Sequence, residues 1–380
     1  KITNLSETSN LKDVQIQAYI IDMSNLSEET KKNPSISRDK ALNEYLVSAE
    51  SGIKRKGGAY KFKDKEKESF SEGVEWVGFR DRYYCALIRP SVSALGYFVD
   101  PIQSDLLKIT YSPQEVNIGP EESENYSSVL YFGPENLDLL KGYDLGFEKV
   151  RRYYRFGLFD AIAKAIYQIM HLLHKVIPNW GVSILLISVV IYFSMYPLTM
   201  KSMTSMKKMQ SLQPKLAKLR EKHKNNPQKL NKEMMGIYKE NGVNPLGGCL
   251  PMVFQMPVFI GLYQVLWRDV SFKGASFLWI KDLSQPDRLF LFPSSLPFIG
   301  NEFNLLPIVM IVVMFFQMKL SSKNMVATDP AQIAQQKMMG SIMPVFMGVI
   351  FYRFASGLTL YFTMFYMFST FTQWKITKKS

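Results

Sequence analysis

The sequence predicts an α-helical polytopic membrane protein with five core transmembrane helices and a cytoplasmic helical hairpin. To this it joins an N-terminal, extracytoplasmic, all-β sandwich domain. Three observations carry the prediction. Long apolar runs without charge are confined to the C-terminal half. The segments between those runs are alternately lysine-rich and charge-balanced. The first 150 residues instead show period-two alternation punctuated by proline.

With 380 residues and 47% hydrophobic content, the chain is far too apolar for a disordered segment. Two cysteines, Cys85 and Cys249, exclude a disulfide scaffold, and with three histidines they exclude a zinc-ribbon type. Both are expected to be free thiols. A mean hydropathy of −0.06 resembles that of a soluble protein, but the average hides segregation.

The net charge of +13 is distributed unevenly. Residues 1–175 hold 24 basic and 25 acidic side chains, and residues 268–302 balance at 4 and 4. Residues 201–240 hold 11 basic and 3 acidic, residues 319–337 hold 3 and 1, and the tail adds Lys375, Lys378 and Lys379. Basic chains often bind nucleic acid. Here the basic segments alternate with apolar ones, which points to membrane topology and not to DNA.

A helical crossing takes roughly 20 mostly apolar residues. Trp180–Met200 and Pro245–Trp267 carry no charge, and Leu305–Phe316 is intensely apolar. Met338–Trp374 is too long for one crossing and holds a single charge, Arg353. Phe354-Ala355-Ser356-Gly357 reads as a turn that splits it, giving five crossings. Five such runs in succession argue against the buried core helices of a soluble protein. The lysine-rich loops then share one side, the cytoplasm by the positive-inside rule, and the N-terminal region and residues 268–302 lie outside. An exported N-terminal domain needs a targeting or anchor helix before it, which is expected upstream of Lys1.

The domain reading follows. Residues 1–156 form the extracytoplasmic β-sandwich, with strands around Val14–Tyr19, Val74–Ile88, Leu106–Tyr111 and Ser128–Phe132. Residues 25–67 are polar and read as a loop. Residues 157–177 form an amphipathic helix on the outer membrane surface, with Leu158, Ile162, Ile166, Ile169, Leu172 and Val176 on one stripe and Asp160 and Lys164 between them. His171 and His174 have metal-compatible i, i+3 spacing but no third ligand, so no metal is assigned. Residues 178–375 form the core, and 376–380 a basic tail. Within the core, residues 201–243 form the hairpin, broken at Asn225-Asn226-Pro227, with Met203, Met206, Met209, Leu212 and Leu216 facing Leu230, Met234 and Ile237. Its basic residues, among them Lys207, Lys208, Lys215, Lys218 and Arg220, leave two readings. One is a solvated element that sets topology. The other is a mobile, Met-rich element that touches ribosomal RNA, anionic lipid or a nascent chain.

No HExxH, Walker or GxSxG motif occurs, and no acidic pair lies inside the runs. The chain therefore reads as neither enzyme nor cofactor protein. The runs do carry uncharged polar groups, which lipid penalises unless partners or water satisfy them. They serve as helix–helix contacts or line a wet cavity.

An ordered set of motifs resembles the YidC membrane protein insertase family. It begins with Asn179-Trp180-Gly181-Val182-Ser183-Ile184 and Met195-Tyr196-Pro197-Leu198-Thr199. It continues through Leu212-Gln213-Pro214-Lys215, Asn244-Pro245-Leu246-Gly247-Gly248-Cys249 and Gln255-Met256-Pro257. Leu278-Trp279-Ile280-Lys281-Asp282-Leu283, Met343-Pro344 and Ser356-Gly357-Leu358 complete it. Glu75-Trp76-Val77 and Phe132-Gly133-Pro134-Glu135 resemble the end of that family's outer, periplasmic β-sandwich domain, which implies that residues 1–156 are a partial form of it. The resemblance implies a membrane chaperone of the bacterial inner membrane that inserts and folds nascent membrane proteins, alone or with the Sec translocon. It implies lipid bilayer, nascent chains and the translocon as partners, with the ribosome a further candidate. It also implies a hydrophilic groove, to which Ser188, Tyr192, Gln255, Met256, Phe259, Gln317, Tyr361, Phe362 and Thr363 are assigned. Family members usually carry arginine five residues before the proline of the Met-Tyr-Pro-Leu-Thr motif. This chain has Tyr192 there, so no fixed groove cation is carried over. The rival reading is a polytopic channel or small-solute transporter, but the crossings show no internal repeat.

Overall fold

The computed structural model describes residues 2–3, 5, 11–12, 16–22, 44–57, 68–70, 73–91, 94–103, 106–113, 117–154, 156–223, 226–244, 250–296, 300–322 and 338–378. It divides into two compact units, Lys1–Arg152 with Arg268–Val270, and Tyr153–Trp267 with Ser271–Ser380.

The first unit is built on one nine-stranded sheet. Its strands are β1 (Ile16–Asp22), β2 (Glu44–Ala49), β3 (Gly52–Gly57), β4 (Glu68–Phe70), β5 (Val74–Arg80), β6 (Tyr84–Pro90), β7 (Ala94–Gln103), β8 (Leu106–Pro113) and β9 (Ser128–Pro134). All pairings in it are antiparallel and fall into two ladders, β3-β2-β5-β6-β9 and β4-β7-β8-β1. A single pair, Val74 with Ala94, joins them. Strand β5 buries Val74, Trp76 and Val77, and Trp76 meets Phe147 edge-on. Leu46, Leu87, Leu140 and Val150 complete that core. Helix α1 (Leu137–Gly142) starts at Asn136, whose side chain accepts from the N–H groups of Asp138 and Leu139.

The expected loop over residues 25–67 is corrected in part. Strands β2 and β3 occupy residues 44–57 and form a hairpin around Glu50-Ser51, with Gly52 at φ +112°. Tyr45–Ala49 is wholly buried. The short apolar run Tyr45-Leu46-Val47 vanished into the polar average of its flanks. Residues 25–43 and 58–67 lie outside the described residues, as do Val14 and Gln15 of the first expected strand.

The second unit is helical: α2 (Gly157–Val176), α3 (Trp180–Ser211), α4 (Gln213–Lys222), α5 (Pro227–Glu240), α6 (Leu250–Arg268, ending at the first unit's segment), α7 (Leu305–Ser322), α8 (Met343–Phe351) and α9 (Ser356–Lys378). Helix α9 packs against both α7 and α3, α8 packs on α7, and α2 on α3. Helix α3 runs unbroken through Pro197 and past Met200, so the apolar run and the first arm of the hairpin are one helix. Asn226 and Pro227 start α5, Asn226 Oδ1 accepting from Lys229 N. Leu212, Leu216 and Val243 close the hairpin's small core with Met209, Met234 and Ile237.

The segment between α6 and α7 is ordered by caps. Asp287 Oδ2 accepts from Leu305 N at 2.8 Å, Leu306 N at 2.9 Å and Trp279 Nε1 at 3.1 Å. It thereby satisfies two of the free N–H groups at the start of α7. At the start of α9, Ser356 N donates to Gln285 O and Gly357 N to Leu283 O. A Cβ on Gly357 would press on Ile184 and on the Leu283 carbonyl at 3.1 Å each, so glycine suits the Ser-Gly-Leu motif. A β-hairpin, β10 (Phe290–Leu296) with β11 (Gly300–Phe303), lies between these caps.

Among the described residues one helical stretch, Trp180–Ser205, is long and apolar enough to cross a membrane, and Leu305–Leu320 and Gly340–Phe351 are shorter apolar helices. Helix length alone therefore does not fix the number of crossings.

Candidate functional site

The helical unit is inverted relative to a water-soluble core. Large apolar side chains face outward from most of its helices: Phe193 on α3, Val253 and Phe254 on α6, Phe316 on α7, Phe346 and Val349 on α8, all more than half exposed. Water penalises a continuous apolar surface of this kind. Polar side chains are instead buried: Ser183, Ser188, Thr359 and Thr363 are at most 4% exposed. Each donates its hydroxyl to the carbonyl four residues before it. Ser188 Oγ donates to Ile184 O at 2.6 Å, and Thr363 Oγ1 to Thr359 O at 2.8 Å. Such back-bonding lets a hydroxyl sit in apolar surroundings without a distant partner.

Eight of the nine expected groove residues fall into three groups, and the ninth, Thr363, is the buried, back-bonded hydroxyl on α9. Ser188 and Tyr192 lie on the α3 side facing α9. Tyr192 is 4% exposed, and its hydroxyl donates to Thr372 Oγ1 at 2.6 Å across the two helices. Its ring is enclosed by Phe193, Tyr196, Phe365 and Phe368. The tyrosine thus closes a packed seam between α3 and α9. Gln255, Phe259, Tyr361 and Phe362 meet where α6 touches α9. Gln255 Nε2 donates to Tyr361 Oη at 2.6 Å, and the Phe259 and Phe362 rings meet edge-on at 5.3 Å. Gln264, two turns further along α6, keeps a buried Oε1 without a hydrogen-bond partner among the described residues. Met256 and Gln317 stand apart from both contacts. Met256 is 45% exposed on α6, and Gln317 is half-buried on α7.

On the hairpin, Lys208, Lys215 and Lys218 are exposed and Arg220 is half-buried. The Lys207 side chain lies outside the described residues, as do residues 245–249, which include Cys249. His223 Nε2 lies 3.1 Å from Glu233 and ties α4 to α5. Among the described residues no group of three metal-ligating side chains occurs. His174 stacks on Trp180 at 3.8 Å, and His171 meets the same indole edge-on. Burial, and then His171, hold the His174 pKa below its ordinary value.

Two polar constructions escaped sequence reasoning. On α2, Asp160 is buried, although its place between apolar residues suggested exposure. Its carboxylate accepts from Tyr153 N at 2.7 Å and Tyr154 N at 3.3 Å and pairs with Lys164 at 2.8 Å. Burial alone would raise its pKa, but these bonds outweigh burial and lower it. The α2 face opposite carries Leu158, Leu172 and Val176, each more than 60% exposed. In the β unit, Arg80 is 2% exposed between Glu44 and Glu135 and donates to Val150 O at 3.0 Å and Arg152 O at 3.2 Å. Arg151 extends the cluster to Glu135 and Asp269. Cys85, a buried free cysteine, is held as the thiol, its pKa pushed up to about 12 by burial.

Comparison with known proteins places this geometry. A family model described as "60Kd inner membrane protein" matches residues 172–380, and one described as "YidC periplasmic domain" matches residues 9–169. A relative from Ralstonia nicotianae, named "Membrane protein insertase YidC", is 37% identical over 305 residues, 80% of this chain and 51% of the relative. One of the same name from Syntrophobacter fumaroxidans is 34% identical over 367 residues, 95% of this chain and 62% of the relative. The chain thus spans about half to three-fifths of the length of these curated relatives. A solved structure titled "Active YidC insertase crystal structure with the first transmembrane domain resolved" covers 88% of the chain at 19% identity and a TM-score of 0.45. On the sequence matches, which cover the β half and the helical half alike, the chain belongs to the YidC membrane protein insertase family.

Proposed function

We propose that the chain works in the bacterial inner membrane as an insertase and chaperone for nascent membrane proteins. The observation that carries this reading is the inverted helical unit, apolar outside with buried polar contacts within, in a chain of the YidC family. In this reading α3, α6, α7, α8 and α9 are the five crossings. The β unit and residues 268–302 lie in the periplasm, and the hairpin and C-terminus in the cytoplasm. The Sec translocon and the ribosome are partners by family analogy.

The proposed groove uses the sequence-assigned set. Ser188, Tyr192 and Thr363 form its closed back wall. Gln255 and Tyr361 offer paired polar groups, Met256 and Phe259 a deformable apolar lip, and Gln317 a polar group on α7. A client's polar segment costs less against such groups than in hydrocarbon, while its apolar segment slides along the outer helix faces. Lowering that barrier needs no bond to form or break, so the activity is not enzymatic. Site-specific photocrosslinking of a stalled nascent membrane protein tests the groove. Probes at Met256 and Gln317 should capture the client, and a probe at Leu46 in the β core should not. Equal labelling at all three would refute it.

A further inference from the structure

A second apolar feature lies away from the α6–α9 contact. Between α7 and α9 is a hollow of about 490 Å³, lined by Val313, Phe316, Leu320, Met367, Phe371 and Trp374. Its volume falls within the roughly 300–1,000 Å³ of small-ligand sites. The seventh lining residue, Thr370, already donates its hydroxyl to Tyr366 O at 2.7 Å, so the wall offers hydrocarbon contact alone. Phe316, Met367, Phe371 and Trp374 are each about half exposed, leaving the hollow open along its flank.

Positive charge is concentrated at one end. Lys375 Nζ lies 4.5 Å from the Phe371 ring centroid, and Lys378 Nζ 5.4 Å from that of Trp374. The two ammonium groups therefore stand on the aromatic rim of the hollow. Both side chains are exposed, and neither makes an ion pair among the described residues. Lys319, one residue before Leu320, adds a third cation in the last turn of α7. A lysine at a helix C-terminus also complements the last carbonyls, but its stem can lie along apolar surface while the ammonium reaches outward. An apolar slot capped at one end by cations fits a ligand with one hydrocarbon tail under one anion.

We propose that the α7–α9 hollow binds one acyl chain of an acidic phospholipid, whose phosphate rests on Lys375 and Lys378. The site rests on the membrane reading given above. Trp374 then sits at headgroup depth, where tryptophan is enriched.

The test reconstitutes the full chain in phosphatidylcholine vesicles and reads Trp374 emission as the difference between wild type and Trp374→Phe. Phosphatidylglycerol with brominated chains should quench Trp374 at far lower mole fraction than brominated phosphatidylcholine. The selectivity expected from two lysines near an anionic surface is up to about 30-fold. Lys375→Gln/Lys378→Gln should bring the ratio near one with helicity unchanged, and Val313→Phe, which fills the hollow, should weaken quenching by both lipids. Equal quenching by the two lipids in wild type would overturn the proposal, as would selectivity that survives loss of both lysines. Relief of quenching by an added apolar helical peptide, without lipid selectivity, would assign the hollow to a protein segment and overturn it too. Extraction of the whole chain from the vesicles by alkali would overturn the membrane reading along with the site.

Discussion

Two substitutions at Tyr192 should distinguish a packed α3–α9 seam from a hydrated one. Tyr192→Phe keeps the contacts with Phe193, Tyr196, Phe365 and Phe368 and removes only the 2.6 Å bond to Thr372. Interhelical hydrogen bonds in membrane bundles average about 0.6 kcal/mol and reach at most about 1.7. Tyr192→Arg puts a guanidinium among those rings. On insertion scales a charge at a helix centre costs about 2.5–3.5 kcal/mol. Stacking on aromatic faces returns about 0.5–2 kcal/mol. The net loss of about 0.5–3 kcal/mol adds to the lost tyrosine–Thr372 bond, so the Arg variant should be the less stable of the two. A cycle of Tyr192→Phe with Thr372→Val should show coupling of about 0.5 kcal/mol, because either change alone breaks the same bond. Reversible unfolding of the purified chain in mixed micelles measures all four proteins. An Arg variant as stable and as well integrated as wild type would refute the packed seam and show that water reaches this face.

Further outcomes follow from the buried charges and the topology. Arg80→Met should destabilise the β unit by up to about 3–5 kcal/mol, because Glu44 and Glu135 lose their nearest cation and keep only the longer contacts to Arg55 and Arg151; a thermal shift near zero would contradict this. Asp160 is ionised more easily folded than unfolded, so its contribution is present above about pH 3.9 and lost as pH falls through the lower folded value. The stability gap between wild type and Asp160→Asn should hold near neutral pH and shrink in acid; a gap that widens in acid would reverse the assignment. In intact cells, a membrane-impermeant thiol reagent applied from the periplasmic side should label a cysteine at the exposed position Lys281 (Lys281→Cys) and miss Asn226→Cys; the reverse pattern would refute the orientation.

The sequence disclosed what is local and hid what is distant. The break at Asn226-Pro227 was legible because the cap and the proline act within one turn. The turn before Ser356 and the helical extent of α2 were legible for the same reason, but the expected stripe of α2 is split, Ile166 buried and Leu158, Leu172 and Val176 exposed. The Tyr192–Thr372 bond joins residues 180 apart, and the Arg80 cluster joins four stretches of chain, so no periodicity announces either. Asp160 misled because a carboxylate within an apolar stripe reads as surface unless the backbone that folds over it is known. The buried strand Glu44–Ala49 was lost in a charged neighbourhood. The assigned groove residues share a polar-in-apolar signature that does not separate a lining group from a seam. Gln255 and Tyr192 look alike in sequence, yet one is half-buried on α6 and the other enclosed between α3 and α9.

Reconstitution tests the central claim most directly. The purified chain in phosphatidylcholine–phosphatidylglycerol liposomes, with no other protein present, receives a freshly synthesised small membrane protein. Protease protection then measures the fraction inserted. Insertion should rise well above that of empty liposomes and fall to that baseline when residues 203–240 are deleted. Insertion at the empty-liposome level by the folded, integrated chain would contradict the account.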